Sequence, residues 1–152
     1  AMSTQENYNK IQDEKSNINW TIVRVVEIGK DVEQFSTGSG WASFVAEFAK
    51  SETEILFGAF NAKADDGLGQ PRSKIILVNW IGGRCPPKKR AASNMARQEI
   101  GTIFNNTCCS IDANDVDGLD IKDASKAILS KTAAHKPVFY EFGDQQVQVA
   151  DL

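Results

Sequence analysis

With 152 residues, 41% of them hydrophobic, the chain has apolar surface for one core and one domain, which excludes a multidomain arrangement. Its 20 Asp and Glu outnumber its 17 Lys and Arg, giving a formal net charge of -3. No global cationic field is therefore present to recruit nucleic acid or an anionic membrane, no apolar stretch approaches the roughly 20 residues that span a bilayer, and any basic site has to be local.

The polar start AMSTQENYNK lacks the charged-then-apolar layout of a secretion signal, so a cytoplasmic setting is expected, and Ala1 ahead of Met2 reads as a residue added in cloning. Ser3-Thr4-Gln5-Glu6 has capping-box spacing, and Tyr8 and Ile11 follow at helical spacing, which predicts a first helix to about Lys15. NINWTIVRVV (Asn17 to Val26) is rich in β-branched residues, and DVEQFSTG (Asp31 to Gly38) alternates after the EIGKD turn, so the two form a hairpin. Trp41, Phe44, Val45 and Phe48 fall at i, i+3, i+4 and i+7 of a second helix. EILFGAFNA (Glu54 to Ala62) reads as a buried strand, and Ile75 to Val78, closed by Trp80-Ile81, as the central strand. Trp80 is expected to be structural.

The double proline in GGRCPPKKR suits a helix start but not a helix interior. Ala92, Ala96, Ile100 and Ile103 then mark a third helix from about Ala91 to Asn105. Thr107 to Ile111 reads as a short strand, and Ile121, Ala124, Ile128 and Leu129 share one face of a last helix. Beyond Lys131 the character changes: Val138 to Phe142 with Val147 to Val149 read either as an added hairpin or as a loosely held tail.

Catalytic readings find little support. The one histidine, His135, leaves no triad and no imidazole cluster, and it reads as a solvated surface residue. The three cysteines, Cys85, Cys108 and Cys109, form no disulfide framework, and Cys108-Cys109 reads as thiols in a strand rather than a redox pair. DANDVDG fails as a calcium loop, because placing Gly118 sixth puts Ala113 first, while starting at Asp112 puts Val116 where an oxygen is needed. No enzyme, metal or cofactor is expected. The chemistry that remains is cationic: Arg72 and Lys74 at the mouth of the central strand, Lys88, Lys89 and Arg90 before the third helix, and Arg97 two turns on. These read equally as a binding surface or as solvated gatekeepers beside apolar segments.

The order of elements resembles the actin-depolymerising-factor homology fold, and the strings YNKIQDE, NWTIVR, FVAEF, ILFGAF and above all RSKIILVNWIGG are similar to the coactosins. The likeness covers about Gln5 to Lys131. It implies an α/β (α+β) gelsolin-like fold, a mixed central sheet of about five strands flanked by helices on both faces. The domain would run from 4 to 132, with 133–152 as a C-terminal extension. It further implies a monomeric, non-enzymatic protein of the cytoplasmic actin cytoskeleton, binding the sides of actin filaments, and also monomers, without strong severing. Lys74 matches the lysine that binds filaments in that family, and Arg72 its neighbour. Lys88, Lys89, Arg90 and Arg97 extend the expected actin-binding set, although the GGRCPP loop and Gln98 depart from the family pattern. The alternatives are a cofilin-like severing factor, a regulator of a branched-filament nucleating complex like the glia maturation factors, and a scaffold for a cytosolic enzyme. Severing is disfavoured because the outer face of the third helix (Asn94, Arg97, Gln98, Gly101) is a weak wedge and Ser3 is taken up by its cap rather than left for phosphorylation.

Overall fold

The computed structural model describes residues 3–27, 31–132 and 136–152. The turn expected at 28–30 and the reading of His135 lie outside the described residues. The elements are α1 (Thr4–Ile11), β1 (Trp20–Val25), β2 (Glu33–Gly38), α2 (Trp41–Ala49), β3 (Ile55–Asp65), β4 (Arg72–Ile81), α3 (Pro87–Ile103), β5 (Cys109–Ala113), α4 (Ile121–Ser130), β6 (Phe139–Glu141) and β7 (Gln146–Gln148), with 3-10 turns at Val116–Leu119 and Val149–Asp151.

The strands run β2-β1-β3-β4-β5 in one mixed sheet. β1 to β4 pair antiparallel, and β5 joins β4 in parallel because α3 crosses over between them. The sheet has seven strands rather than the five expected, because β6 and β7 add a hairpin. β3 is long enough for two partners along one edge: β1 takes Ile55 to Phe60 and β6 takes Lys63 to Asp65.

Alternation along β3 and β4 divides the core in two. Leu56, Phe60, Ile76, Val78 and Trp80 face α2, α4 and the C-terminal hairpin, whereas Ile55, Phe57, Ala59 and Ile75 face α1 and α3. On the first face Trp41 meets Phe60 and Phe142 edge-on, at centroid distances of 5.0 and 5.3 Å, an arrangement that places the positive ring edge against a negative ring face. Gly58 sits beneath this cluster, where a Cβ would come within 2.8 Å of both Phe44 and Phe48.

Local chemistry explains the helix boundaries. Ser3 Oγ accepts from the Glu6 amide at 3.1 Å and starts α1. α1 ends at Ile11 rather than Lys15, because the Gln12 amide turns back onto Asn9 and Lys10 while Asp13 Oδ1 takes the Lys15 amide in an Asx turn. α3 starts at Pro87, four residues earlier than the apolar periodicity indicates, since proline at the first helical position gives up only an amide that would be unpaired anyway. Before α4, Asp120 accepts from the Lys122 and Asp123 amides at 2.8 and 3.3 Å. The acidic stretch before it forms the 3-10 turn, with Asp115 Oδ1 on the Gly118 amide.

Candidate functional site

β4 extends three residues beyond its apolar run, to Arg72, because Arg72, Ser73 and Lys74 find ladder partners in Ala64, Lys63 and Ala62 of β3. Lys74 therefore lies within the strand, two positions in, and only Arg72 stands at its mouth. β5 pairs no further than Ile76, so this end of β4 projects past it as a ribbon, braced on the β3 side by β6.

Arg72 and Lys74, both even-numbered, share the ladder face of Ile76, Val78 and Trp80, and stand roughly 7 Å apart at strand rise. Arg72 is exposed and Lys74 half-buried. Opposite each is an alanine, and neither cation has a hydrogen bond or ion pair among the described residues. On the other face Ser73 Oγ accepts from Lys63 Nζ at 2.9 Å, so the ribbon carries a third cation. Sequence reading missed Lys63 because the apolar signal of β3 fades at Ala62, whereas the strand continues to Asp65 through cross-strand pairing.

The second basic group lies elsewhere. Lys88, Lys89 and Arg90 occupy the first turn of α3, beyond the far end of β4, and the strand's ten residues separate them from Arg72 by roughly 30 Å. Two of them are tied down: Lys89 Nζ pairs with Glu54 at 3.0 Å, and Arg90 Nε donates to the Cys85 carbonyl at 3.1 Å. Cations at a helix N-terminus oppose its macrodipole, and Glu54 offsets that for Lys89. Lys88 is exposed and has no partner among the described residues. Arg97 lies 3.6 Å from Asp112, whose Oδ1 also accepts from the side-chain Nδ2 of Asn79 at 2.8 Å. The structure thus joins Arg72 with Lys74, and Lys88 with Lys89 and Arg90, but keeps the two groups apart.

Among the described residues no group of three His, Cys, Asp or Glu could hold a metal ion, and no helix is long and apolar enough to cross a membrane. The two buried thiols, Cys85 and Cys109, are poor nucleophiles. Burial pushes the Cys109 thiol up to about 12 and raises that of Cys85 as well, and a thiol above neutrality is not a thiolate. Trp80 is buried, tilts against Phe48 at 5.4 Å and donates from Nε1 to the Ser51 carbonyl at 2.9 Å, which is structural work.

The sequence pattern of the family described as cofilin/tropomyosin-type actin-binding protein matches residues 1–129. No curated protein matches the chain in sequence at a significant level. Among solved structures, the human coactosin-like protein is similar at 18% identity, over 84% of this chain and 93% of its own, with a TM-score of 0.73. Mouse coactosin, described as an actin filament binding protein, is 20% identical over 87% of this chain and 89% of its own, with a TM-score of 0.66. A Streptomyces griseoflavus cofilin is 12% identical over 82% and 94%, with a TM-score of 0.69. At these identities the likenesses show a shared fold.

Proposed function

The chain belongs to the cofilin/tropomyosin-type actin-binding family, and from that premise we propose that it is a monomeric, coactosin-type protein of the cytoplasmic actin cytoskeleton that binds the sides of actin filaments without severing them. The observation that carries this reading is the pair Arg72 and Lys74, held on one face of a projecting ribbon and with no acidic partner among the described residues. A cation already paired within the molecule has to give up that partner to bind another. These two are free to take up carboxylates on the acidic surface of a filament.

The second group, Lys88, Lys89, Arg90 and Arg97, is proposed as a separate contact of smaller weight, since Lys89 and Arg97 each already face a carboxylate. A filament offers successive subunits, so contacts roughly 30 Å apart can both be engaged, at either end of a ten-residue strand. Severing is disfavoured by the outer face of α3. Asn94, Gln98 and Gly101 are exposed there with Arg97 as their one cation, and Gly101 lowers local helix stability by about 1 kcal/mol relative to alanine.

Cosedimentation with purified actin filaments tests the reading. Truncating one partner of a charge pair in an interface costs ~2–5 kcal/mol, so Lys74→Ala is expected to weaken pelleting by well over tenfold. Arg72→Ala should weaken it less, because a charge at the rim chiefly tunes encounter. Binding should fall steeply with salt as the Debye length shrinks from ~10 Å at 0.1 M to ~3 Å at 1 M. A folded Lys74→Ala protein that pellets like the wild type removes Lys74 from the site.

A further inference from the structure

Cys108 and Cys109 are adjacent in the chain, and consecutive residues of a strand point to opposite faces. Here they do not. Cys108 stands at a bend one residue before β5, outside the strand in which sequence reading placed it, and both side chains pack against the same core, that of Phe60, Val78 and Tyr140. The backbone holds them there: the Cys108 amide donates to the Ile75 carbonyl at 2.7 Å, and Cys109 is in register with Ile76. Cys109 is buried and Cys108 half-buried, so one thiol lies inside and the other within reach of solvent. Burial first, and Cys108 beside it second, push the Cys109 thiol up to about 12, which marks the two groups as neighbours. Burial raises the Tyr140 hydroxyl too, and both thiols are close enough to add to that rise. That hydroxyl has no hydrogen-bond partner among the described residues: Thr132 stands near it but donates instead to the Ile128 carbonyl at 3.3 Å.

What such a pair can hold follows from its spacing. Adjacent Cα atoms are ~3.8 Å apart, below the ~4.4–6.8 Å of relaxed disulfides, so ring closure between the two is strained and they stay as thiols. Two thiols are also too few for a structural zinc, which takes four ligands. A trivalent centre that bonds two sulfurs and keeps one oxygen needs no more than this pair. We propose that Cys108 and Cys109 form a chelating site for trivalent arsenic, taken up as arsenous acid. Each thiol replaces one hydroxyl on arsenic: two As–S bonds form, two As–O bonds break, and each displaced oxygen leaves as water with the thiol's proton. Arsenic stays trivalent and no oxidant is needed. Because both protons leave in water, Cys109 serves as the inner donor although it is a neutral thiol at neutral pH. The hydroxyl that remains on arsenic finds a hydrogen-bond partner in the unpaired Tyr140 hydroxyl. Since the backbone already fixes both residues, little conformational entropy is lost on binding. The site is independent of the actin-binding reading.

Intact-protein mass spectrometry with sodium arsenite, in a phosphine reductant that keeps thiols reduced without competing for arsenic, tests this. Wild type and Cys85→Ala, whose thiol sits in the opposite core, should each take up one arsenic. Because the second thiol acts intramolecularly, Cys108→Ser and Cys109→Ala should bind ~10²–10⁴-fold more weakly. Dimercaptopropanol, which offers a vicinal pair of its own, should strip the arsenic, and a monothiol at the same concentration should not. The melting temperature should rise with arsenite in wild type and stay constant in Cys108→Ser, since a ligand of the folded state stabilises it. Cys108 is half-buried and its serine variant keeps the core, so that variant reports whether or not Cys109→Ala folds. A wild type that takes up no arsenic, a Cys108→Ser protein that binds it as tightly as wild type, or a folded Cys85→Ala protein that has lost it overturns the inference.

Discussion

Replacing Trp80 separates what holds β4 in place from what β4 presents. The indole is 2% exposed, packs on Phe48 at 5.4 Å and satisfies the Ser51 carbonyl from Nε1 at 2.9 Å. Trp80→Ala removes that volume from a core closed by α2 and leaves a cavity, at a cost of ~3–5 kcal/mol, with the orphaned Ser51 carbonyl included in the same loss. Since a domain of this size has ~5–15 kcal/mol in all, the variant should lose a fifth or more of its stability and melt roughly 6–20 °C lower. Trp80→Phe keeps a ring against Phe48 and loses the donor, so about 1–3 kcal/mol is expected. Trp80 and Lys74 share a face but lie six positions apart, about 20 Å along the strand, beyond the reach of one side chain. Folded Trp80→Phe protein should therefore pellet with filaments as wild type does. Urea unfolding followed by far-UV circular dichroism measures the first effect and cosedimentation the second. A Trp80→Ala protein within 1 kcal/mol of wild type, or a stable Trp80→Phe protein that no longer binds, would refute the reasoning.

Three further outcomes are expected. Both carboxylate oxygens of Asp144 cap α2, accepting from the Trp41 and Ala42 amides at 2.8 and 3.1 Å where the cap residue Gly40 has no side chain to offer, so Asp144→Ala should cost about 1–2 kcal/mol in calorimetry and Asp144→Asn less. Gly101 is an exposed helical residue with nothing within 4 Å of an added Cβ, and Gly101→Ala should raise stability by about 0.5–1 kcal/mol in urea titration. Burial pushes the Cys109 thiol from 9.0 and the Tyr8 hydroxyl from 10.0 up to about 12, while Tyr8 donates to the Asn105 carbonyl. The unfolded chain then releases these protons first as pH rises. Their stabilising contribution is complete below pH 9 and is lost between about pH 9 and pH 12, so the melting temperature should fall across that range, and a flat profile there would contradict it.

The order of elements was legible because each carries its own periodicity: Trp41, Phe44 and Phe48 can bury together only on a helix, and Ile75 to Val78 only in a covered strand. Arg72 and Lys74 were legible as a pair because they abut that run. What stayed hidden depends on partners distant in sequence. β3 reaches Asp65, and β4 starts at Arg72, through pairing of polar residues that no local apolar signal marks. β6 and β7, three residues each, left the sequence open between an added hairpin and a loose tail; they hold as a hairpin because Tyr140, Phe142 and Val147 enter the core on the α2 side. Asp144 caps a helix 103 positions earlier. Lys88 to Arg90 look adjacent to Lys74 in the chain, yet the length of β4 carries them to the other end of the sheet.

Fluorescence microscopy of single labelled actin filaments, with the protein at saturation, tests the central claim most directly, since one recording shows both where the protein sits and what it does there. The account predicts decoration along the filament sides, lost in Lys74→Ala, with the number of breaks per unit length and the rate of shortening unchanged from bare filaments. Decoration accompanied by a rise in breaks would contradict it and place the protein with the severing cofilins, and bare filament sides at saturation would contradict side-binding altogether.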